Sequence, residues 1–142
     1  MSFAGTRLLK IKIGASEYNA SISSSKITSA AADNSFVTFN DAASGGARVY
    51  TLNFTAGADY AASTLWDQVF SNAGTTVACV LNPYGVTTFA AATPGFNFNA
   101  VVSEPDGDFI GADADPSVTA VSQFACAWVL TAKPTRVITG TY

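Results

Sequence analysis

The densest group of chemically active side chains is an acidic segment between residues 104 and 115. It reads EPDGDFIGADAD and holds five of the ten acidic residues in the chain: Glu104, Asp106, Asp108, Asp113 and Asp115. Carboxylate oxygens are ligands that Ca²⁺ prefers, but an EF-hand loop needs acids at alternate positions, then a glycine and a final glutamate. The spacing here does not match. We therefore favour a solvated acidic hairpin, turned at Pro105-Asp106-Gly107, over a calcium loop.

The rest of the chain lacks the residues that usually carry out catalysis. There is no histidine, which removes the commonest general base and metal ligand. No serine lies in a G-x-S-x-G pattern, and no lysine follows the Gly45-Gly46 pair as a phosphate-binding loop requires. Cys79 and Cys126 lie in apolar, strand-like runs, where buried free thiols are favoured over a disulfide. We predict no enzyme, no catalytic residue, no metal and no cofactor.

The elements that position these residues are mostly strands, because apolar and polar residues alternate with a period of two. Strands are predicted at 9–13, 18–28, 36–39, 48–55, 76–81, 96–103, 118–130 and 137–138. In the strand at 118–130, one face carries Phe124, Cys126, Trp128 and Leu130. The predicted fold class is mainly β, an antiparallel β-sandwich or barrel with one flanking α-helix, in a single domain over residues 1–142.

The flanking helix is predicted between residues 58 and 73, where apolar residues recur at helical spacing. Asp59 is the predicted N-cap, and Gly74 is the predicted glycine after the last turn. Trp66 and Phe70 lie on the apolar stripe. They are predicted to anchor the helix on a sheet, because aromatic rings bury large apolar areas.

Charge is scarce in this sequence. Charged residues make up 12% of the chain and hydrophobic residues 49%, whereas about a quarter of the residues in ordinary domains are charged. A free monomer normally keeps many charges on its surface. We therefore expect much of the surface to be buried between subunits; a secreted module with a Ser/Thr/Asn surface is the alternative.

The few charges are also unevenly placed. Residues 1–48 hold five of the seven basic residues, and residues 49–132 hold seven acids and no base. That pattern disfavours a nucleic-acid-binding face, which needs clustered Lys and Arg. The first residues lack the apolar core of a secretory signal, and no stretch approaches the roughly 20 apolar residues of a membrane span. No membrane contact is expected.

Several runs of the sequence, taken in order, together resemble the major tail proteins of long-tailed bacteriophages, especially those that infect actinobacteria. The runs are KITSAAADNSFVTFNDAASGGARVYTLNFT (26–55), LWDQV (65–69), VLNPYG (80–85), SEPDGDFIGADAD (103–115) and WVLTAKPT (128–135). The resemblance implies a β-sandwich-like tail tube subunit with one helix. It implies hexameric rings whose inner sheets close into one barrel, and rings that stack into a tube.

The resemblance also carries expectations about partners and location. It implies a virion protein, assembled in the host cytoplasm, whose partners are further copies and the tail tip, tape measure and terminator proteins. DNA would pass through without specific binding, and an acidic lumen would repel its phosphates. The acids of residues 104–115 then become candidates for the channel or for an inter-ring loop. The alternative function is a carbohydrate- or receptor-binding β-sandwich, with Tyr60, Tyr84 and Trp128 as stacking rings.

Overall fold

The computed structural model describes residues 3–32 and 36–142, and these form a mainly β fold of two antiparallel sheets. The predicted sandwich with a flanking helix is confirmed. Residues 33–35 lie outside the described residues. They include Asp33 and are part of the run 26–55, the longest of those that resemble the tail proteins. In chain order the elements are β1 (Lys10–Ile13), β2 (Ser16–Glu17), β3 (Ile22–Ala31), α1 (Phe39–Ala43), β4 (Arg48–Gly57), α2 (Leu65–Asn72), β5 (Thr76–Asn82), β6 (Gly95–Val101), β7 (Gln123–Val129) and β8 (Thr135–Val137).

The strands divide between a five-stranded sheet, in the order β2-β1-β5-β6-β8, and a three-stranded sheet, in the order β3-β4-β7. In the larger sheet, Cys79 of β5 lies between Ile13 of β1 and Phe98 of β6. In the smaller sheet, Leu52 of β4 lies opposite Trp128 of β7. The chain crosses between sheets four times, at 18–21, 58–75, 102–122 and 130–134, so each sheet takes strands from distant parts of the sequence.

The core lies between the two sheets and follows the period-two pattern. In β7, the predicted apolar face is buried and the residues between are exposed, as a half-buried strand requires. The Phe54 ring packs edge-on against Trp128, with centroids 4.8 Å apart. Trp128 Nε1 donates a hydrogen bond to the Ser103 carbonyl at 3.0 Å. The largest fully buried side chain therefore has its polar atom satisfied.

Helix α2 begins later than the sequence pattern predicts. Thr64 is the N-cap, and its hydroxyl accepts a hydrogen bond from Asp67 N–H. The prediction that Asp59 is the N-cap is wrong, because the Asp59 carboxylate accepts a hydrogen bond from Ala61 N–H in a turn before the helix. Ser63 then adopts a φ of 65°, which no helix continues through. The predicted Gly74 is correct: it has a φ of 92°, the left-handed conformation that ends helices.

Three other expectations differ from the structure. Residues 36–38 are not a strand, and Phe39 opens the short helix α1, capped by Thr38 and burying none of its residues. The strand predicted from residue 118 starts only at Gln123, because 111–122 is fully or partly exposed and has no facing strand to pair with. Residues 104–115 are not a hairpin but part of the crossover from β6 to β7.

A second apolar cluster covers part of the outer face of the five-stranded sheet. Phe89 is 5% exposed and packs on Gly95, where a Cβ would collide with its ring. Tyr142 lies 6.3 Å from Phe89, centroid to centroid, and Lys12 Nζ is 4.2 Å from the Tyr142 ring. Asn82, which is fully buried, donates to the Val86 carbonyl at 2.7 Å. The outer face of the larger sheet is therefore partly covered.

Candidate assembly surfaces

The five acids predicted as a candidate site are all exposed, but the structure divides them into two sets. Glu104 and Asp106 line a groove on the three-stranded sheet, whereas Asp108, Asp113 and Asp115 are outside it. Among the residues that the structure describes, no three His, Cys, Asp or Glu side chains are grouped so that they could hold a metal ion.

Trp66 connects helix α2 to the acidic crossover. The side chain is 8% exposed, and its Nε1 donates to the Phe109 carbonyl at 3.0 Å. The Trp66 ring lies 5.3 Å from the Phe109 ring and 4.9 Å from the Tyr60 ring, between centroids. Phe109 in turn contacts Phe124 of β7 at 6.4 Å. The helix is thus attached to the smaller sheet through the crossover.

Phe70, the second predicted anchor, lies on the outside of this cluster. Its ring is 53% exposed and stacks on Trp66 at 4.9 Å, with an angle of 14° between the planes. It does not lie against a sheet. Leu65 and Val69, which are 1% and 0% exposed, make the buried contacts of the helix instead.

The outer face of the three-stranded sheet is a second candidate surface. It carries Thr51, Asn53 and Thr55 on β4, flanked by small polar or apolar side chains. The three strands hold two charged residues, Lys26 and Arg48, of which Lys26 alternates onto this face. A groove of about 720 Å³ crosses the face, from Lys26 to Glu104 and Asp106. Because Ser103 Oγ donates to the Ala127 carbonyl, those two acids lie along the β7 side. The face therefore carries one basic residue, Lys26, and an acidic rim.

The edge of β3 is the third candidate surface. β3 is a ten-residue strand, ISSSKITSAA, at one end of the three-stranded sheet. Ala32 N–H donates to the Ala47 carbonyl at 3.0 Å, and residues 24 to 31 pair with β4 in that register. Hydrogen-bonded and non-hydrogen-bonded pairs alternate along an antiparallel ladder. The N–H and C=O groups of Ser25, Ile27 and Ser29 therefore point away from β4.

The other end of the sheet is less open. Along β7, Ser103 Oγ occupies the Ala127 carbonyl at 3.1 Å, and Leu130 bridges to Ala100 of the larger sheet. An unpaired edge is a template for another strand, and proteins that avoid such pairing place charges, prolines or bulges there. β3 has one lysine, no proline and a bulge only between Ile22 and Ser24.

The two cysteines and the aromatic rings considered for sugar binding are the remaining candidates. Cys79 and Cys126 are free and buried, and burial raises the pKa of each thiol to about 12. Trp128, considered for sugar stacking, is fully buried, whereas Tyr60 is 45% exposed and its hydroxyl accepts from Gly111 N–H. No helix in the described ranges 3–32 and 36–142 has the length and apolar character to cross a membrane.

No known protein family, curated protein sequence or solved structure matches this chain. The three surfaces are therefore interpreted from their own geometry. Sequence reasoning found the acidic segment but missed the open β3 edge and the uncovered sheet face. The available signal was the Ser/Thr-rich run of residues 21–29, which holds a single charge and no proline.

Proposed function

We propose that this chain is a structural virion protein that self-assembles into stacked hexameric rings and forms the tail tube of a long-tailed bacteriophage, the conduit for DNA ejection. The observation that carries the proposal is the open ten-residue edge of β3 in a sandwich with only 12% charged residues. The hexameric number, the virion location and the tail tip, tape measure and terminator partners rest on the resemblance of the sequence runs.

Edge pairing supports a ring because the two ends of the three-stranded sheet are different surfaces. A copy that adds the half of its β3 edge around Ser29 to the β7 side of the next copy's small sheet, away from the Ala127 carbonyl that Ser103 occupies, makes a head-to-tail contact. Such a contact closes into a ring when the rotation per copy divides a full turn. The pairing would remove the exposed edge, which is a hazard in a monomer. The three-stranded sheets would then be continuous around the ring.

The uncovered face of that sheet fits the inner wall of such a tube. The outer face of the larger sheet is partly covered by Phe89 and Tyr142, so the smaller sheet presents the bare surface. Hydroxyl and amide groups without clustered Lys or Arg leave phosphates unneutralised, so DNA is not retained. Glu104 and Asp106 at the rim add repulsion.

The proposal predicts that Ser29→Pro blocks assembly without unfolding the subunit. Ser29 is exposed, and its N–H points to the open edge, so proline removes no hydrogen bond to β4. Ser29→Ala is the matched control, because it removes only the hydroxyl that accepts from Arg48. Sedimentation velocity and negative-stain imaging at high protein concentration measure the outcome. We expect rings or tubes from wild type and Ser29→Ala, and monomers from Ser29→Pro.

Wild-type protein that stays monomeric over a wide concentration range, with tail tip components present, would contradict the proposal. Circular dichroism shows whether Ser29→Pro keeps its β structure. The alternative, a carbohydrate- or receptor-binding module, predicts a monodisperse monomer in the same experiment. It is supported less well, because Trp128 is in the core and Tyr60 packs edge-on against Trp66.

A further inference from the structure

A second groove, of about 470 Å³, lies between residues 6–11 and the first half of β3. The residues along it include three basic ones, Arg7, Lys10 and Lys26, and no Asp or Glu among the described residues. Lys26 alternates onto the outer face of the sheet, so its charge lies where this groove meets that face. Three consecutive serines, Ser23 to Ser25, form the β3 wall. In a chain with seven basic residues in all, three of them share this one groove.

Backbone hydrogen-bonding groups of β3 border the same groove. Ser25 lines it, and the alternation along β3 points the Ser25 N–H and C=O away from β4. The Ser25 side chain lies opposite Phe54 on the core side, so only its backbone is offered to a partner. An edge strand offers both donors and acceptors. The groove therefore fits an extended peptide strand better than a phosphate, which has no N–H to offer the carbonyls.

We infer that this groove binds residues 111–115 of the acidic crossover from a second copy of the chain. The inference rests on the proposed function and names the contact that holds neighbouring copies together. The segment GADAD is exposed and has no regular secondary structure of its own. It makes two local hydrogen bonds, from Gly111 N–H to the Tyr60 hydroxyl and from Ser117 N–H to the Asp115 carboxylate, and the second would be exchanged for the basic residues of the neighbour. On a strand, alternate residues share a face, so Asp113 and Asp115 both point to one side. That side meets Arg7, Lys10 and Lys26 of the neighbour.

The residues around the segment fit an added strand. Pro116 follows it directly and has no N–H, which stops strand pairing at that point. Ile110 and Val118, on either side, are 69% and 100% exposed, so two apolar side chains are available to be covered by a partner. Opposite charges on the two surfaces orient the copies head to tail and suppress the reverse pairing.

A binding measurement tests the groove independently of tube formation. The probe is a labelled peptide of residues 109–118, FIGADADPSV, and the receptor is the Asp113→Lys/Asp115→Lys variant, whose own segment no longer competes. Fluorescence anisotropy should show binding that weakens at least ~10-fold between low salt and roughly 0.5 M salt, since exposed charges are screened. Adding Arg7→Glu and Lys26→Glu to the receptor should abolish binding.

A peptide with Asp113→Asn and Asp115→Asn is the matched control and should bind at least ~10-fold more weakly. The inference is overturned if the acidic peptide does not bind, or if it binds the control and groove variants equally well. A DNA oligonucleotide is tested in parallel. If it binds through Arg7 and Lys26 while the peptide does not, the groove recognises phosphate and the inference is wrong.

Charge exchange separates this inference from the proposed function. Arg7→Glu/Lys26→Glu and Asp113→Lys/Asp115→Lys should each weaken self-association, and all four changes in one chain should restore it. If both double variants assemble like wild type while Ser29→Pro does not, the groove contact is refuted and the tube proposal stands. If wild type never assembles but the peptide binds as described, the tube proposal fails and the groove contact stands.

Discussion

The two cysteines show how burial alone sets the chemistry of a residue. Cys79 and Cys126 are 1% and 3% exposed, each on a core-facing position of a different sheet. Burial raises the pKa of both thiols from 9.0 to about 12, because the apolar core disfavours the thiolate. Both therefore stay protonated and unreactive near neutral pH.

This predicts alkaline sensitivity of the fold. Above pH 9 the unfolded chain releases thiol protons that the folded chain keeps until about pH 12, so the free energy of unfolding falls as pH rises. From pH 8 to 10 each cysteine should contribute a loss of about 1.4 kcal/mol. Urea unfolding of wild type, Cys79→Ala and Cys126→Ala at both pH values measures it. If all three proteins lose the same free energy of unfolding between pH 8 and pH 10, the prediction is contradicted.

Trp66 and Phe70 are adjacent on the helix face, but they should differ in their effect on stability. Trp66→Ala removes a buried ring and its hydrogen bond to the Phe109 carbonyl, so it should cost about 3–5 kcal/mol. Phe70→Ala removes a ring that is half exposed and stacked on Trp66, which should cost about 1 kcal/mol. Urea unfolding compares them. Equal losses would show that Phe70 has the anchoring role predicted from the sequence.

At the scale of elements, strands were predictable where one face is buried and the other exposed. β4 and β7 follow that rule, and the core residues predicted for β7, Phe124, Cys126 and Trp128, are buried. The start of α2 was not, because Ala61 continues the apolar stripe while the cap is decided by side-chain hydrogen bonds at Asp59 and Thr64. Residues 118–122 have a strand-like composition but no strand beside them to pair with, and composition alone does not show which segments lie side by side in the fold.

The same limit applies to the candidate surfaces. The run of residues 18–28 predicts a polar strand, which the structure has as β3, Ile22–Ala31. Its place at the edge of a sheet depends on which strands pair with it. The division of the acids into a groove pair and an outer set likewise follows from the crossover path beside Ala127. The composition of a segment is visible in the sequence, whereas its position relative to other segments is a property of the fold.

At the scale of the whole molecule, the charge asymmetry of the sequence becomes an arrangement in space. Three of the seven basic residues line the groove beside the β3 edge, while five of the ten acids lie in the β6–β7 crossover. The uncovered face of the three-stranded sheet lies between Lys26 on one side and Glu104 and Asp106 on the other. If that face lines the channel, the acidic character of the lumen comes from this rim and not from the strands.

Under the proposed function, a matched pair of charge reversals tests which face would line the channel. Asp106 borders the groove on the uncovered face, and Asp108, two residues later, does not, although both are exposed. Asp106→Lys in assembled tubes should therefore create DNA binding that weakens with salt, because each phosphate contact releases counterions. Asp108→Lys changes the charge equally and should leave the tubes unable to bind DNA. Binding is measured by DNA retention on sedimented tubes at two salt concentrations. Equal retention by both variants would place the channel on another face, and loss of assembly in Asp106→Lys would make the rim a contact between rings.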